Sequence, residues 1–225
     1  MANPFNLKQE LTRERDYWGS ALDTSTIALL TRATNTLRES VFLGRALREM
    51  DRAPNFRLPS AQCESLERDE LLGFGPVVIL FYRGQWCPYC NLELRAFQHA
   101  MPRIRALGAR VIAISPQTPD HSLSTAEKNE LTFSVLSDVG LNVSRAFGIA
   151  FKLPTELVEV YKNQWNTDLV QWNGEGGWSL PIPATYVIDR DANVALAHVD
   201  PDYRNRLDPD AVLAVLRVLA KRSQA

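Results

Sequence analysis

The 225-residue sequence predicts an α/β protein, with a central mixed sheet flanked by helices and preceded by a helical N-terminal extension. The first observation is the run 77–82, whose unbroken β-branched and aromatic character marks a strand buried on both faces. The second is a like run at 110–114, joined to the first by a helical pattern over 88–107. Strand, helix and strand at this spacing form a βαβ unit with a right-handed crossover. The third is the pair of runs 184–188 and 194–198, which flank the polar stretch 189–193 and read as a hairpin.

The remaining elements follow in chain order. Residues 24–50 read as one helix, capped by Asp23 or Thr24. Ile27, Leu30, Leu37, Val41, Phe42 and Leu47 form its apolar stripe, with Arg32, Arg38 and Glu39 toward water. Such a helix either packs on the main domain or serves as a dimerisation arm. Pro54 marks the opening of the main domain, so residues 1–52 form the extension and 53–225 the domain. Further helices are expected at 122–131 and 138–147, the second stopped by Gly148. A polar, Trp-rich insert spans 164–179 and is loosest at 173–177. The last helix has Asp208 as cap and Pro209 at its first position, with Val212, Leu213, Leu216, Val218 and Leu219 on its apolar side.

Bulk properties narrow the function. A formal net charge of -1 and a pI near 6.3 point to neither nucleic acid nor an anionic membrane. No apolar run approaches the ~20 residues of a membrane span. The first residues lack the apolar stretch of a secretory signal, which predicts a cytoplasmic protein. Three cysteines do not make a disulfide scaffold. In a reducing compartment, a close pair points to catalysis or metal binding.

That pair is Cys87-Pro-Tyr-Cys90, placed where the first buried strand hands over to a helix. Pro88 suits the first helical position, which puts Cys87 at the N-cap. Free backbone N–H groups and the positive end of the helix dipole there favour a thiolate, the form that attacks. Cys90 shares a stripe with Leu94, Phe97, Met101, Ile104 and Leu107, so it points inward. An exposed nucleophile above a shielded partner three residues on is suited to forming and resolving a disulfide. CxxC is also half of a zinc site, but Cys63 stands alone and His99, His121 and His198 lack ligand spacing. No metal or cofactor is therefore expected.

Five segments, in order, resemble the peroxiredoxin-like branch of the AhpC/TSA family, within the thioredoxin superfamily. They are residues 53–58, 81–90 (Phe-Tyr-Arg-Gly-Gln-Trp-Cys-Pro-Tyr-Cys), 111–116, 135–138 and 183–189. The resemblance runs from about 53 to 221 and implies a thioredoxin-like fold. It further implies a cis peptide before Pro183, packed against the cysteine pair and leaving the preceding backbone free to pair with an incoming chain. In related reductases a carboxylate at the place of Glu93 shuttles protons to the buried cysteine; a plain surface charge is the other reading. Trp86 and Tyr89 are expected to wall the site, and proteins of this type are often homodimers.

The sequence also departs from the family. Typical members carry a proline and a threonine seven and three residues before the attacking cysteine, where this chain has Leu80 and Gly84. They place an arginine where this chain has Pro183. The threonine and arginine orient and polarise a peroxide O–O bond; Arg83 is either a replacement charge near Cys87 or a solvated strand end. Three functions follow. The first is a thiol peroxidase, in which hydroperoxide oxidises Cys87 to a sulfenate that Cys90 resolves, with a thioredoxin- or glutaredoxin-like protein as reductant. The second is a thioredoxin-type thiol–disulfide oxidoreductase acting on protein or glutathione disulfides, which the two departures favour. The third is a redox-sensing interaction module. Similarity over 53–58 and 111–138 places the peroxidase first.

Overall fold

The computed structural model describes residues 5–40, 44–62 and 64–222; Val41, Phe42 and Cys63 lie outside the described residues. Two helices open the chain, α1 (Leu7–Ala21) and α2 (Thr24–Glu39). A short hairpin, β1 (Arg57–Pro59) and β2 (Ser65–Glu67), leads into α3 (Arg68–Phe74) and the central strand β3 (Val77–Phe81). Then come α4 (Pro88–Ala106), β4 (Arg110–Ser115), α5 (Pro119–Lys128), β5 (Ser134–Ser137) and α6 (Asn142–Ala146). The next stretch holds β6 (Ala150–Lys152), α7 (Thr155–Glu159), a π-helical turn over Val160–Gln164, α8 (Leu169–Asn173) and β7 (Ser179–Pro181). Strands β8 (Ala184–Ile188) and β9 (Val194–Val199) and helix α9 (Pro209–Arg222) close the chain.

The main sheet has the order β5-β4-β3-β8-β9. Strand β3 runs parallel to β4 and antiparallel to β8, so the sheet is mixed as expected. Every side chain of β3 is buried, and alternate residues feed opposite faces. Val78 and Leu80 pack with Leu94, Phe97 and Leu216 under α4 and α9. Val77, Ile79 and Phe81 pack with Phe147 and Tyr186 on the far side. Burial on both faces holds the β3–α4 corner, and with it both cysteines, on the most constrained part of the sheet.

The N-terminal extension differs from expectation. The helix read over 24–50 ends at Glu39, and Ser40 is already extended (φ -68°, ψ 140°). Beyond Gly44 the backbone is held by the main domain instead: Leu47 N–H donates to the Phe147 carbonyl (3.1 Å) and Met50 N–H to that of Val194 (2.9 Å). Bonds to a formed sheet domain win over continuing a helix whose next turn contains glycine. Gly148 makes this docking feasible. It adopts φ +71°, and a Cβ there would run into the Arg45 carbonyl. Helix α1 escapes the pattern reading because its sequence is mostly polar. It is capped by the Asn6 side chain, which accepts from Gln9 N–H (3.0 Å), and it buries only Leu7 and Leu11, against α4.

The helix expected at 138–147 shortens to α6, because the Asp138 carboxylate accepts from the N–H groups of Val143 and Ser144 and sets the start. The stretch read as loosest, 173–177, is instead a tight turn. Asn173 is buried and donates to the Gly177 carbonyl (3.0 Å), while Thr118 N–H anchors the Trp172 carbonyl (3.0 Å). On α9, Val218 is exposed, so the apolar side is narrower than the sequence suggests.

Candidate active site

The central strand ends at Phe81 and the chain turns through Tyr82–Trp86 before Cys87 caps α4 with Pro88 at its first position. Gly84 takes φ +153°, and a Cβ there would collide with the Trp86 indole and the Gln117 side-chain amide. A threonine does not fit this turn as folded. The missing threonine and the inward Trp86 are therefore one structural choice. Gln117 accepts from Gln85 N–H, and Asn91 donates to the Gln85 carbonyl (2.8 Å), which fixes the turn from both sides.

Both thiols are free and lie 3.1 Å apart. Cys87 is fully buried, contrary to the expected exposed nucleophile. It still forms part of the wall of a cavity of about 570 Å³, so it is reached through that cavity rather than from open surface. Its side chain makes no capping hydrogen bond to the open amides of α4. The polar partner is Arg83, whose Nη2 donates to Cys87 Sγ at 3.2 Å. Arg83 is itself buried (6% exposed), not solvated, and its Nη1 donates to Tyr161 Oη at 3.2 Å. The guanidinium lies 3.8 Å from the centre of the Tyr203 ring and 5.1 Å from that of Trp86.

Cys90 lies deeper and has different neighbours. Arg83 N–H and Arg206 Nη2 donate to its sulfur at 3.4 and 3.2 Å. Arg206 uses its other nitrogens on the Tyr203 carbonyl (Nε, 2.9 Å) and on Glu93 (Nη1, 2.5 Å). Thr185 Oγ1 holds the second Glu93 oxygen at 3.2 Å. Glu93 is therefore no surface charge: it is 2% exposed and paired with a buried arginine.

These surroundings split the two thiols. Burial by itself pushes the Cys87 pKa up. The hydrogen bond from Cys90 and the charges of Arg83 and Arg206 outweigh burial and hold it well below the ordinary thiol value. For Cys90, burial and its hydrogen bond to Cys87 together push the pKa well above that value, against the pull of Arg206. Burial also raises Glu93 above the usual carboxylate range despite its ion pair. The surroundings thus favour the thiolate at Cys87, the thiol at Cys90 and the protonated form of the Glu93 carboxyl.

Two further expectations are tested by the geometry. Trp86 and Tyr89 do line the cavity, and Tyr89 packs edge-on against Tyr203 (5.6 Å). The cis peptide before Pro183 is absent: no peptide bond among the described residues is cis. Pro183 is buried, and the backbone before it is already engaged, with Ile182 N–H donating to the Ile149 carbonyl (2.7 Å). That N–H is therefore taken inside the protein and is not offered to an incoming chain, and trans is the cheaper isomer.

Tyr161, Tyr203 and Arg206 escaped the sequence reading. Each lies more than 70 residues from the motif, in a stretch with no periodicity of its own. One signal pointed to Arg206. Glu93 falls one turn after Cys90 on the buried face of α4, and a carboxylate in that position requires a buried cation.

A mixed sheet of thioredoxin-like fold presents two closely spaced free thiols at a strand–helix corner. The AhpC/TSA family profile matches residues 50–197, and the chain belongs to that family. It is 27% identical over 157 residues to peroxiredoxin Q of Gentiana triflora, covering 70% of this chain and 59% of that protein. It is 32% identical over 125 residues to the thiol-disulfide oxidoreductase ResA of Halalkalibacterium halodurans, covering 55% of this chain and 69% of the other. Among solved structures, the peroxidoxin BcpB of Mycobacterium tuberculosis superposes with a TM-score of 0.61 at 24% identity. That match covers 77% of this chain and 98% of the other. Arg206 lies outside the matched family segment.

Proposed function

We propose that the protein is a thiol peroxidase that reduces hydroperoxides through Cys87. The observation that carries this reading is the buried Arg83 guanidinium 3.2 Å from Cys87 Sγ, which maintains an attacking thiolate and can also bond a peroxide oxygen. The thiolate attacks the terminal oxygen of ROOH, the O–O bond breaks, and RO⁻ leaves and takes a proton to become the alcohol. Sulfur is oxidised to Cys87–SOH. Cys90–SH then transfers its proton by way of Glu93 and attacks that sulfur, giving the Cys87–Cys90 disulfide and water. An external dithiol protein of thioredoxin or glutaredoxin type would reduce the disulfide by exchange.

A second reading, direct thiol–disulfide exchange, is favoured by the similarity to ResA and by the buried Glu93 one turn beyond Cys90. Rapid mixing of reduced protein with hydrogen peroxide, and separately with an insulin-like disulfide, separates the two. Loss of two thiols per chain on the fast timescale only with peroxide is expected. Oxidation by the disulfide alone would replace the first reading with the second.

A further inference from the structure

The cavity that leads to Cys87 is larger than its chemistry requires. Hydrogen peroxide needs little more room than a water, about 30 Å³, whereas the cavity measures about 570 Å³, within the usual span for small organic ligands. Arg83 and Cys87 meet at its reactive part, and Asp23, Gln164 and Thr167 add polar groups to the lining. Its aromatic and apolar walls are Trp18, Leu22, Trp86, Tyr89, Tyr161 and Trp165. Trp18 and Leu22 come from the N-terminal extension, outside the matched family segment, and Tyr161 and Trp165 from the π-helical turn and its end. The two parts meet as rings, with Trp18 and Trp165 6.2 Å apart, Trp165 and Tyr161 4.8 Å, and Tyr161 and Trp86 5.3 Å. Trp18 is held in place by its Nε1, which donates to Glu14 Oε1 at 2.7 Å.

We infer that this pocket selects a hydroperoxide borne on a compact apolar body of arene size, with Trp18 and Trp165 as specificity-determining residues. The inference rests on the peroxidase reading for its chemistry. Aromatic walls favour an aryl or branched apolar body by edge and stacking contacts. The hydroperoxide group must then point toward Arg83, the cation that lines the cavity beside Cys87. The oxygen transfer is the one written above, and the alcohol leaves through the same opening. The N-terminal extension acts on this view as a wall of the substrate pocket.

Reduced full-length protein is mixed with cumene hydroperoxide and, separately, with hydrogen peroxide, and the ratio of second-order rates is compared among wild type, Trp18→Ala and Trp18→Phe. The ratio is expected to favour cumene hydroperoxide in the wild type. It should fall about tenfold in Trp18→Ala and be largely restored in Trp18→Phe. A purely structural role would slow both peroxides together and leave the ratio unchanged, which overturns the inference. A second arm needs no peroxide: 2-phenyl-2-propanol should slow alkylation of Cys87 by iodoacetamide saturably in the wild type and far less in Trp18→Ala. Absence of protection in the wild type would overturn the pocket. Protection without oxidation by either peroxide would sustain the pocket and sink the peroxidase reading instead.

Discussion

The two sulfurs sit within one turn of the same helix, equally buried, yet their surroundings drive them in opposite directions. Around Cys87 the partners are a guanidinium braced by Tyr161 and Tyr203, next to an open cavity. Around Cys90 they are a cation already shared with a carboxylate and the walls of a closed core. Burial by itself raises both thiols, so it cannot distinguish them. What separates them is first the hydrogen bond that Cys90 gives to Cys87, and next where charge is left unneutralised. Among the described residues Arg83 has no carboxylate partner and lends its charge to Cys87, whereas Arg206 divides its charge between Glu93 and Cys90. The Cys90 thiol and the two guanidinium groups, rather than a capping bond at the helix N-terminus, favour the Cys87 thiolate.

The largest effect expected on this comparison comes from the upper sulfur. Cys87→Ser should lower peroxide consumption by more than about 10⁴-fold, because a hydroxyl beside Arg83 stays protonated and attacks poorly. Cys90→Ser should leave the first oxidation in place and accumulate a sulfenate, detectable by mass spectrometry after trapping with a dimedone-type reagent. Arg83→Met comes next. Without the guanidinium, burial dominates and the Cys87 pKa rises. The oxidation rate at neutral pH should drop about 10²–10³-fold and recover as pH is raised. In the wild type, by contrast, the rate should hold steady well below the ordinary thiol pKa and decline only as pH falls through the depressed Cys87 value.

Breaking the lower half should act on the second step. Glu93→Gln is expected to slow closure of the disulfide by about 10²-fold while sparing formation of the sulfenate, read by rapid quench. It also replaces the buried carboxyl beside Arg206 with a neutral amide of the same shape, so its stability should differ from the wild type chiefly in pH dependence. Glu93 has a folded pKa raised above the unfolded value of 4.5. Stability from this group is therefore full below 4.5 and is lost as pH rises through the raised folded pKa; the Gln variant should lack that dependence. Tyr161→Phe should give the smallest change. Loss of one hydrogen bond to Arg83 is worth about 1 kcal/mol, which corresponds to about a fivefold lower oxidation rate with a slightly raised Cys87 pKa.

The same division separates what the sequence reveals from what it hides. The β3–α4 corner was legible because its signals are local. An apolar run of strand length, a proline at the first helical position and a cysteine stripe at 3.6 periodicity each depend on neighbouring residues only. The partners of the sulfurs were not, since Tyr161, Tyr203 and Arg206 reach the site through tertiary folding across 70 to 120 residues. The burial of Cys87 is hidden for a related reason. The N-terminal extension and the π-helical turn line the same cavity as Cys87, and neither has a sequence pattern that places it beside the motif. The helix over 24–50 failed at Ser40 because backbone bonds to Phe147 and Val194, distant in sequence, replaced the helical ones. The cis peptide before Pro183 rests on resemblance alone, and no local signal shows that Ile182 N–H is taken by the Ile149 carbonyl.

The most direct measurement follows the alkylation of each cysteine of the reduced protein as a function of pH, resolved by peptide mapping. Cys87 should react with a midpoint well below that of a free thiol, and Cys90 only far above it. Titration of both sulfurs together near the ordinary thiol value, or Cys90 first, would contradict the account.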